Sequence, residues 1–435
     1  MKCRQTIGFR RAFCHDTNVV APNRKTTSAQ SVNVAKVVGV KRAAARVLIV
    51  PDKFKGTLSA VAASRAIAAG WKRMRPADEL ELLPMSDGGD GFGEVMGRLF
   101  QARLRSVKTI NAAHQPVRAN WWWEPRQKLA IIEAARVIGL AMLPPGKFHP
   151  FQLDTFGLGC VLDEAARAGA RHCLIGIGGS ATNDAGFGLA RALGWKFLDG
   201  QGMELEQWWQ LTTLARVMAP RKILKLPITV AVDVANPLLG PRGCTRVYGP
   251  QKGITPEDVP LAEQCLQRLK TVLARQLGLA HARTPGAGAA GGLGFGLLTF
   301  AGARARSGFE IFAEAADLEE RIRRSTLVIT GEGAVDRQTR MGKGVGQVIR
   351  LCRELNVPCV TLAGTVAAET KAADAEASVF ALTDLTSLKL ARSRPQYYLE
   401  RLAAKVAGLD RAWAVIGLPQ ADEVSAKVNP QRNGN

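Results

Sequence analysis

The sequence predicts an α/β protein whose parallel sheet is assembled from both ends of the ordered chain, with a second α/β segment inserted over about residues 106–284. Two observations carry that expectation. Short apolar, β-branched runs alternate with segments of helical periodicity near both ends, the pattern of βαβ units around a buried parallel sheet. Between them the character changes: residues 107–134 alternate as strands do and include three consecutive tryptophans, Trp121, Trp122 and Trp123.

Order is expected to begin at RVLIV, residues 46–50, a run suited to a central strand. A helix over about residues 58–74 follows, with Thr57 or Ser59 as its cap and Pro76 beyond its end. Residues 79–84 alternate Glu and Leu and lead into the turn-rich SDGGDGFGEV. The tryptophans are expected to pack in a sheet or at a domain interface rather than to stack on a ligand. Residues 156–168 read as a helix, 172–177 as a buried strand and 187–193 as the start of another helix. A strand over 228–232 and a helix with one apolar face over 261–279 complete the insertion. The βα rhythm then returns, with strand 326–330, helix 345–355 and strands 359–363 and 378–382.

A chain of 435 residues can form two domains whose cores need no disulfide support. No apolar run approaches the roughly 18 residues of a membrane span, so no membrane partner is expected. The eight cysteines are scattered, with no Cys-x-x-Cys and no His-Cys cluster. That argues against structural zinc and fits a reducing, cytoplasmic setting. Of the net charge of +22, the first 46 residues contribute +9 and the rest +13. Residues 1–45 are expected to be a disordered basic extension: a transit peptide, a mis-chosen start or an arm. Residues 416–435 are expected to be a loose tail. Basic charge serves anionic small molecules as well as nucleic acid. No Lys/Arg block is interleaved with aromatics, so nucleic acid is the weaker partner.

The central stretch is IGIGGSATNDAG, residues 175–186, lying between a predicted strand and a predicted helix. Gly178 and Gly179 let a backbone approach a ligand, and Ser180, Thr182, Asn183 and Asp184 add polar groups near a helix N-terminus. Such a loop suits an anion, and Asp184 suits a metal ion or a substrate hydroxyl; the alternative is that Thr182 or Asp184 caps the helix. Other informative loops also follow predicted strands, and in open parallel sheets such loops converge on one crevice. They bring Lys53 and Lys55, then Asp87 and Asp90, then Asp233, Asn236 and Lys252, then Glu332, Asp336 and Lys343. Lysines and glycines to hold phosphates, carboxylates to hold Mg²⁺ and one carboxylate to orient an acceptor hydroxyl suit phosphoryl transfer. No Walker motif is present. The GxGxxG at Gly286, Gly288 and Gly291 follows a helix and Pro285, not a strand, so it fails as a dinucleotide fingerprint. Outside the N-terminal extension the histidines are His114, His149, His172 and His281, and the one Cys or Ser neighbour among them, Cys173, lies inside the predicted buried strand 172–177, which leaves a hydrolytic triad unsupported.

Nine segments resemble, in order and spacing, the class I glycerate kinase family of bacteria over about residues 47–410. They are PDKFKGTLSA, SDGGDGFGEV, IEAARVIGL, DTFGLG, IGIGGSATNDAG, AVDVANPLLGP, YGPQKG, PGAGAAGGLG and VITGEGAVDRQT followed by GKG. The resemblance implies a flavodoxin-like (Rossmann-like) α/β domain of residues 46–105 and 285–415, interrupted by an inserted α/β domain of residues 106–284, with the active site between them. It implies phosphorylation of D-glycerate, with 2-phosphoglycerate as product and ATP and Mg²⁺ as cofactors. On that basis Asp184, Asp87 and Lys55 are expected to be catalytic, Asp184 as the acceptor-orienting base. Asp87 and Asp233 are expected to handle Mg²⁺ or hydroxyls, and Lys53, Lys55 or Arg65 the glycerate carboxylate. The loops with Ser180, Thr182 and Asn183 and with Gly288, Gly291 and Gly292 are expected to hold phosphates or substrate. Gly178, Gly179, Asn236, Lys252, Glu332, Asp336 and Lys343 complete the binding set. Four positions depart from the commonest family spelling: Lys53 for Ser, Ser86 for Ala, Phe156 for Tyr and Cys244 for a small residue such as Ala. The rival readings are a kinase or phosphatase for another small hydroxy acid, and a carboxylate sensor with a basic nucleic-acid-binding arm.

Overall fold

The computed structural model describes residues 44–336, 339, 344–367 and 378–409. The basic extension, the C-terminal tail and Lys343 lie outside the described residues. Along the described chain run the strands β1 (Arg46–Pro51), β2 (Glu79–Leu82), β3 (Arg103–Ile110), β4 (Pro116–Glu124), β5 (Leu129–Glu133), β6 (His172–Gly176), β7 (Lys196–Leu198), β8 (Arg216–Met218), β9 (Ile228–Ala231), β10 (Arg304–Arg306), β11 (Leu327–Val335), β12 (Cys359–Val366) and β13 (Ser378–Ala381).

The first sheet has the order β13-β12-β11-β1-β2, with every pair parallel. Counted in their own sequence order these strands run 2-1-3-4-5, the doubly wound arrangement of flavodoxin-like sheets. β1 is apolar almost throughout because both of its faces are covered. One face carries the helix Ala60–Met74, started by Ser59, whose hydroxyl accepts Ala62 N at 3.2 Å. Against it lies the helix Pro395–Ala407, so close that a Cβ on Gly70 would stand 2.0 Å from Glu400 O.

The second sheet has the order β10-β9-β6-β5-β4-β3, parallel from β10 to β5 and antiparallel at β4 and β3. A small hairpin, β7-β8, is separate. Trp121 and Trp123 point into the core on one face of β4, and Trp122 into the core on the other. The helix Phe92–Leu99 lies flat on Trp122: a Cβ on Gly93 or Gly97 would meet the indole at 1.9 or 2.4 Å. The tryptophans are packing residues, as expected. β10 lies in this sheet, with Arg304 opposite Thr229, so the strands of the sheet run from residue 103 to residue 306. A three-residue Arg-Ala-Arg strand carries no apolar signal, and the sequence could not mark it.

The two sheets share one apolar layer. Leu48 and Val50 of β1 join Trp122, Ile131, Leu174 and Ala231 of the second sheet through Phe92, Met96, Phe309 and Phe312. This layer fixes the carboxyl ends of both sets of parallel strands relative to one another.

Candidate active site

Loops leaving β2, β9 and β10 meet at the seam between the sheets, closely enough to require glycine. Gly88, after β2, has φ 98°, and a Cβ there would lie 2.7 Å from Ala231 O at the end of β9. Gly308, after β10, would bring a Cβ to 2.1 Å from Asp87 O and 2.8 Å from Asp233 Oδ2. The loop after β6 reaches the same place, since Gly178 N donates to Gly88 O at 3.0 Å. From the first sheet, β1 and β11 deliver Asp52, Lys53 and Glu332.

Lys53 is the cation of this seam, with Nζ 3.8 Å from Asp87 Oδ1. Burial pulls its ammonium down, but Asp52, Asp87, Asp90 and Glu133 hold it above the ordinary lysine value. The carboxylates move in the sense that repulsion dictates. Asp52 is pushed up to about 7 by burial and by Asp87, with Lys53 opposing. Burial and then Asp87 push Asp233 up to about 6. Glu332 rises to about 7 through burial, although Thr339 Oγ1 donates to it at 2.7 Å; Asp52, Asp336 and Asp87 add to the rise. Asp233 Oδ1 accepts Ser307 Oγ at 2.9 Å and Gly308 N at 3.0 Å. Its Oδ2 is buried and meets no donor among the described residues.

Among the described residues no three or more His, Cys, Asp or Glu side chains are grouped to hold a metal ion alone. Magnesium that keeps waters and binds phosphate needs only one or two protein carboxylates. Asp87, with Asp52 or Asp233, supplies that number. Asp52 and Asp233 are both pushed up by Asp87, a concentration of negative charge that fits a hard cation.

Asp184, the expected acceptor-orienting base, is enclosed by its own hydrogen bonds. It is 0% exposed, and Oδ2 accepts Thr155 N at 3.0 Å, Thr155 Oγ1 at 2.7 Å and Gly188 N at 2.9 Å, while Oδ1 accepts Gly186 N at 3.3 Å. Burial and Asp154 push it up to about 6. The helix Phe187–Ala192 starts from Gly186, so Asp184 closes that helix end and ties it to the chain at Thr155. The capping alternative is the one the fold adopts.

Gly288, Gly291 and Gly292, expected in a phosphate or substrate loop, lie at a contact between two loops. All three are buried against backbone. Gly291 has φ 70°, and a Cβ there would lie 1.9 Å from Thr182 O; Gly288 would meet Pro237 O at 2.2 Å and Gly292 the Ala185 Cα at 2.9 Å. These glycines let two loops pack on each other. Ser180, Thr182, Asn183 and Lys252 form a polar cluster behind the seam. Lys252 Nζ donates to Thr182 O at 2.7 Å and Ser180 Oγ at 3.0 Å, and Asn183 Nδ2 donates to Thr245 Oγ1 at 3.0 Å. Asn236 fastens its own loop, accepting Tyr248 OH at 2.7 Å and donating to Arg242 O at 2.9 Å. Lys55 and Arg65 are exposed and make no ion pair among the described residues. Asp336 Oδ1 accepts Thr339 N at 3.3 Å.

The structure therefore joins Lys53, Asp87, Asp90, Asp233 and Glu332, with Gly178 and Gly179 beside them, and leaves Asp184 and Lys252 outside that seam. Sequence reasoning does not single out Asp52, Glu133, Ser307 or Thr155. Three of these stand at the carboxyl end of a parallel strand: Asp52 follows β1, Glu133 ends β5 and Ser307 follows β10. Glu133 accepts Gly91 N and Gly93 N, both at 3.0 Å, so the second sheet caps the helix Phe92–Leu99. Strand-end position, more than glycine content, is the signal that finds them.

The glycerate kinase family model matches residues 47–410. The chain is 37% identical over 331 residues to the glycerate kinase of Bacillus subtilis strain 168, across 75% of this chain and 87% of that one. It is 36% identical over 326 residues to the glycerate 2-kinase of Escherichia coli K12, across 74% and 85%. A crystal structure of a protein assigned as glycerate kinase 2 from Salmonella typhimurium LT2 matches with a TM-score of 0.70 at 33% identity, over 86% of this chain and 100% of that one.

Proposed function

The chain belongs to the glycerate kinase family, phosphotransferases that use ATP as donor and glycerate as acceptor, and we propose that it works in the cytoplasm with Mg²⁺ on D-glycerate to give 2-phosphoglycerate. The observation that carries the site assignment is Asp233, whose one oxygen is fastened and whose other is buried and meets no donor among the described residues, beside the Asp87 that pairs with Lys53.

Lys53 presents its charge to the glycerate carboxylate, oriented by Asp87. Asp233 stays fixed through Oδ1 and turns Oδ2 to the acceptor hydroxyl. At about 6 its carboxylate is ionised at neutral pH yet more basic than an ordinary aspartate, so it takes the hydroxyl proton as the acceptor oxygen bonds the terminal phosphorus and the bond from that phosphorus to the bridging oxygen breaks, releasing ADP. Asp87 and Asp52 would hold the magnesium. When bound, magnesium ATP supplies the phosphoryl group with its charge spread over the cation. Gly178 and Gly179 let their loop pack on the Gly88–Asp90 turn, where a Cβ on Gly178 would lie 2.6 Å from Gly89 Cα and one on Gly179 2.1 Å from Asp90 Oδ1.

The test is ADP formation with D-glycerate, L-glycerate, tartronate semialdehyde and hydroxypyruvate, followed by NMR of the product. D-Glycerate is expected to be fastest and the phosphate to sit on oxygen 2. ADP release with only another acceptor would remove the substrate reading, and phosphate on oxygen 3 would remove the regiochemistry.

A further inference from the structure

We propose that Lys252 is a positioning residue: it clamps the loop bearing Gly178 and Gly179 to the facing loop at Ala290, and so holds the lining of the seam. The observation is a chain of donors. Lys252 Nζ donates to Thr182 O and to Ser180 Oγ, and Ser180 Oγ donates onward to Ala290 O at 3.1 Å. An ammonium has donors only, so the single Ser180 hydrogen must go to Ala290. The charge of Lys252 therefore fixes the direction of the chain. Ala290 sits at φ 55°, a conformation that costs an alanine energy and that the surrounding bonds hold in place.

Lys252 is 7% exposed, and no carboxylate stands within ion-pair distance of it among the described residues. A buried ammonium served only by neutral acceptors costs stability. Burial pulls it down to about 8, while Cys244 and Asp184, the groups acting on it, pull it up. In the same cluster Thr182 Oγ1 and Asn183 Oδ1 are buried and meet no partner among the described residues, so neither of these two atoms adds to the hold that Lys252 and Ser180 provide. Its outer end is coupled directly to the seam. Gly178 N bonds Gly88 O, and a Cβ on Gly179 would lie 2.1 Å from Asp90 Oδ1. A shift at Ser180 and Thr182 would be delivered to the acids around Lys53.

The catalytic part of this inference rests on the glycerate kinase reading; the clamp itself does not. Lys252→Met and Ser180→Ala are to be compared with wild type, singly and together, in the full-length protein. Glycerate kinase kcat is expected to fall at least tenfold in each single variant, with the double variant no worse than the worse single one. The urea midpoint of Lys252→Met is expected to stay at or above that of wild type, because an uncompensated buried charge is removed. A purely structural lysine would lower stability and activity together. Amide hydrogen exchange over residues 178–185 and 286–292 is expected to quicken at least tenfold in Lys252→Met and to remain unchanged elsewhere. Unaltered exchange in both loops, or kcat within twofold of wild type in both single variants, would overturn the proposal. If wild-type protein fails to phosphorylate glycerate, the functional reading falls, and the exchange measurement still decides the clamp.

Discussion

Ser307 Oγ donates to Asp233 Oδ1 at 2.9 Å across 74 residues of chain, and the pair leaves Asp233 Oδ2 buried with no donor among the described residues. Ser307 pulls the Asp233 carboxyl down while burial and Asp87 push it up to about 6. A base must be ionised, so activity is expected to fall as pH drops through about 6. Ser307→Ala removes a stabilising bond to the carboxylate, so the acidic limb of kcat/KM should move to higher pH. Asp233→Asn should lower kcat by about 10²–10⁴-fold, the usual worth of a general base. A pH–rate profile checks both; an unmoved limb in Ser307→Ala would take the proton away from Asp233.

Asp184 separates stability from catalysis. Its carboxylate answers four donors, and an asparagine would turn an NH₂ group towards some of them. Asp184→Asn is expected to cost about 1–3 kcal/mol, the range for a buried group left without a partner. Urea unfolding should give a lower midpoint with an unchanged slope, and the folded fraction should turn over within a few-fold of wild type. A loss of orders of magnitude in kcat at unchanged stability would return Asp184 to the chemistry.

The sequence made some of this plain and hid the rest for identifiable reasons. β1 is legible because a strand covered on both faces must be apolar throughout, and the helix after it because Ser59 caps it. Lys53, Asp87, Asp233 and Glu332 are legible because they stand in loops or strand ends that a parallel sheet gathers. Asp184 is not, because the donors that occupy it include Thr155, 29 residues earlier. Gly291 looks like a ligand loop, and only the fold puts Thr182 O against it. β10 and the β7-β8 hairpin are three-residue strands, shorter than any periodicity.

Asp52, Asp233 and Glu332 make stability depend on pH in an unusual direction. Their folded values, about 7, 6 and 7, lie above the ordinary 3.8 to 4.5 of Asp and Glu. Between roughly pH 4 and 7 the folded chain therefore holds protons that the unfolded chain has released, so these groups destabilise the ligand-free protein as pH rises through that window. Magnesium held by Asp87 and Asp52 needs Asp52, one of these groups, ionised. The rise in Tm on adding Mg²⁺ should be larger at pH 8 than at pH 5.5, should vanish with EDTA, and should shrink in Asp52→Asn and Asp87→Asn. Differential scanning calorimetry measures it; an equal rise at both pH values would place the cation elsewhere.

Gly56 and Gly291 allow backbone strain and overlap to be told apart. Both are left-handed, at φ 75° and 70°. A Cβ on Gly56 would meet nothing within 4 Å, whereas one on Gly291 would lie 1.9 Å from Thr182 O. Gly56→Ala should therefore cost only the left-handed penalty of about 1–2 kcal/mol, read from the urea midpoint. Gly291→Ala pays the same penalty and must also drive the two loops apart. Because Ala290 O and Thr182 O both belong to the Lys252 clamp, that separation should break the clamp as well. The expected result is a drop in unfolding free energy well beyond that of Gly56→Ala, together with fast amide exchange over residues 178–185. Equal losses in the two variants would mean that the loops part freely, and that packing at Gly291 does not hold the seam.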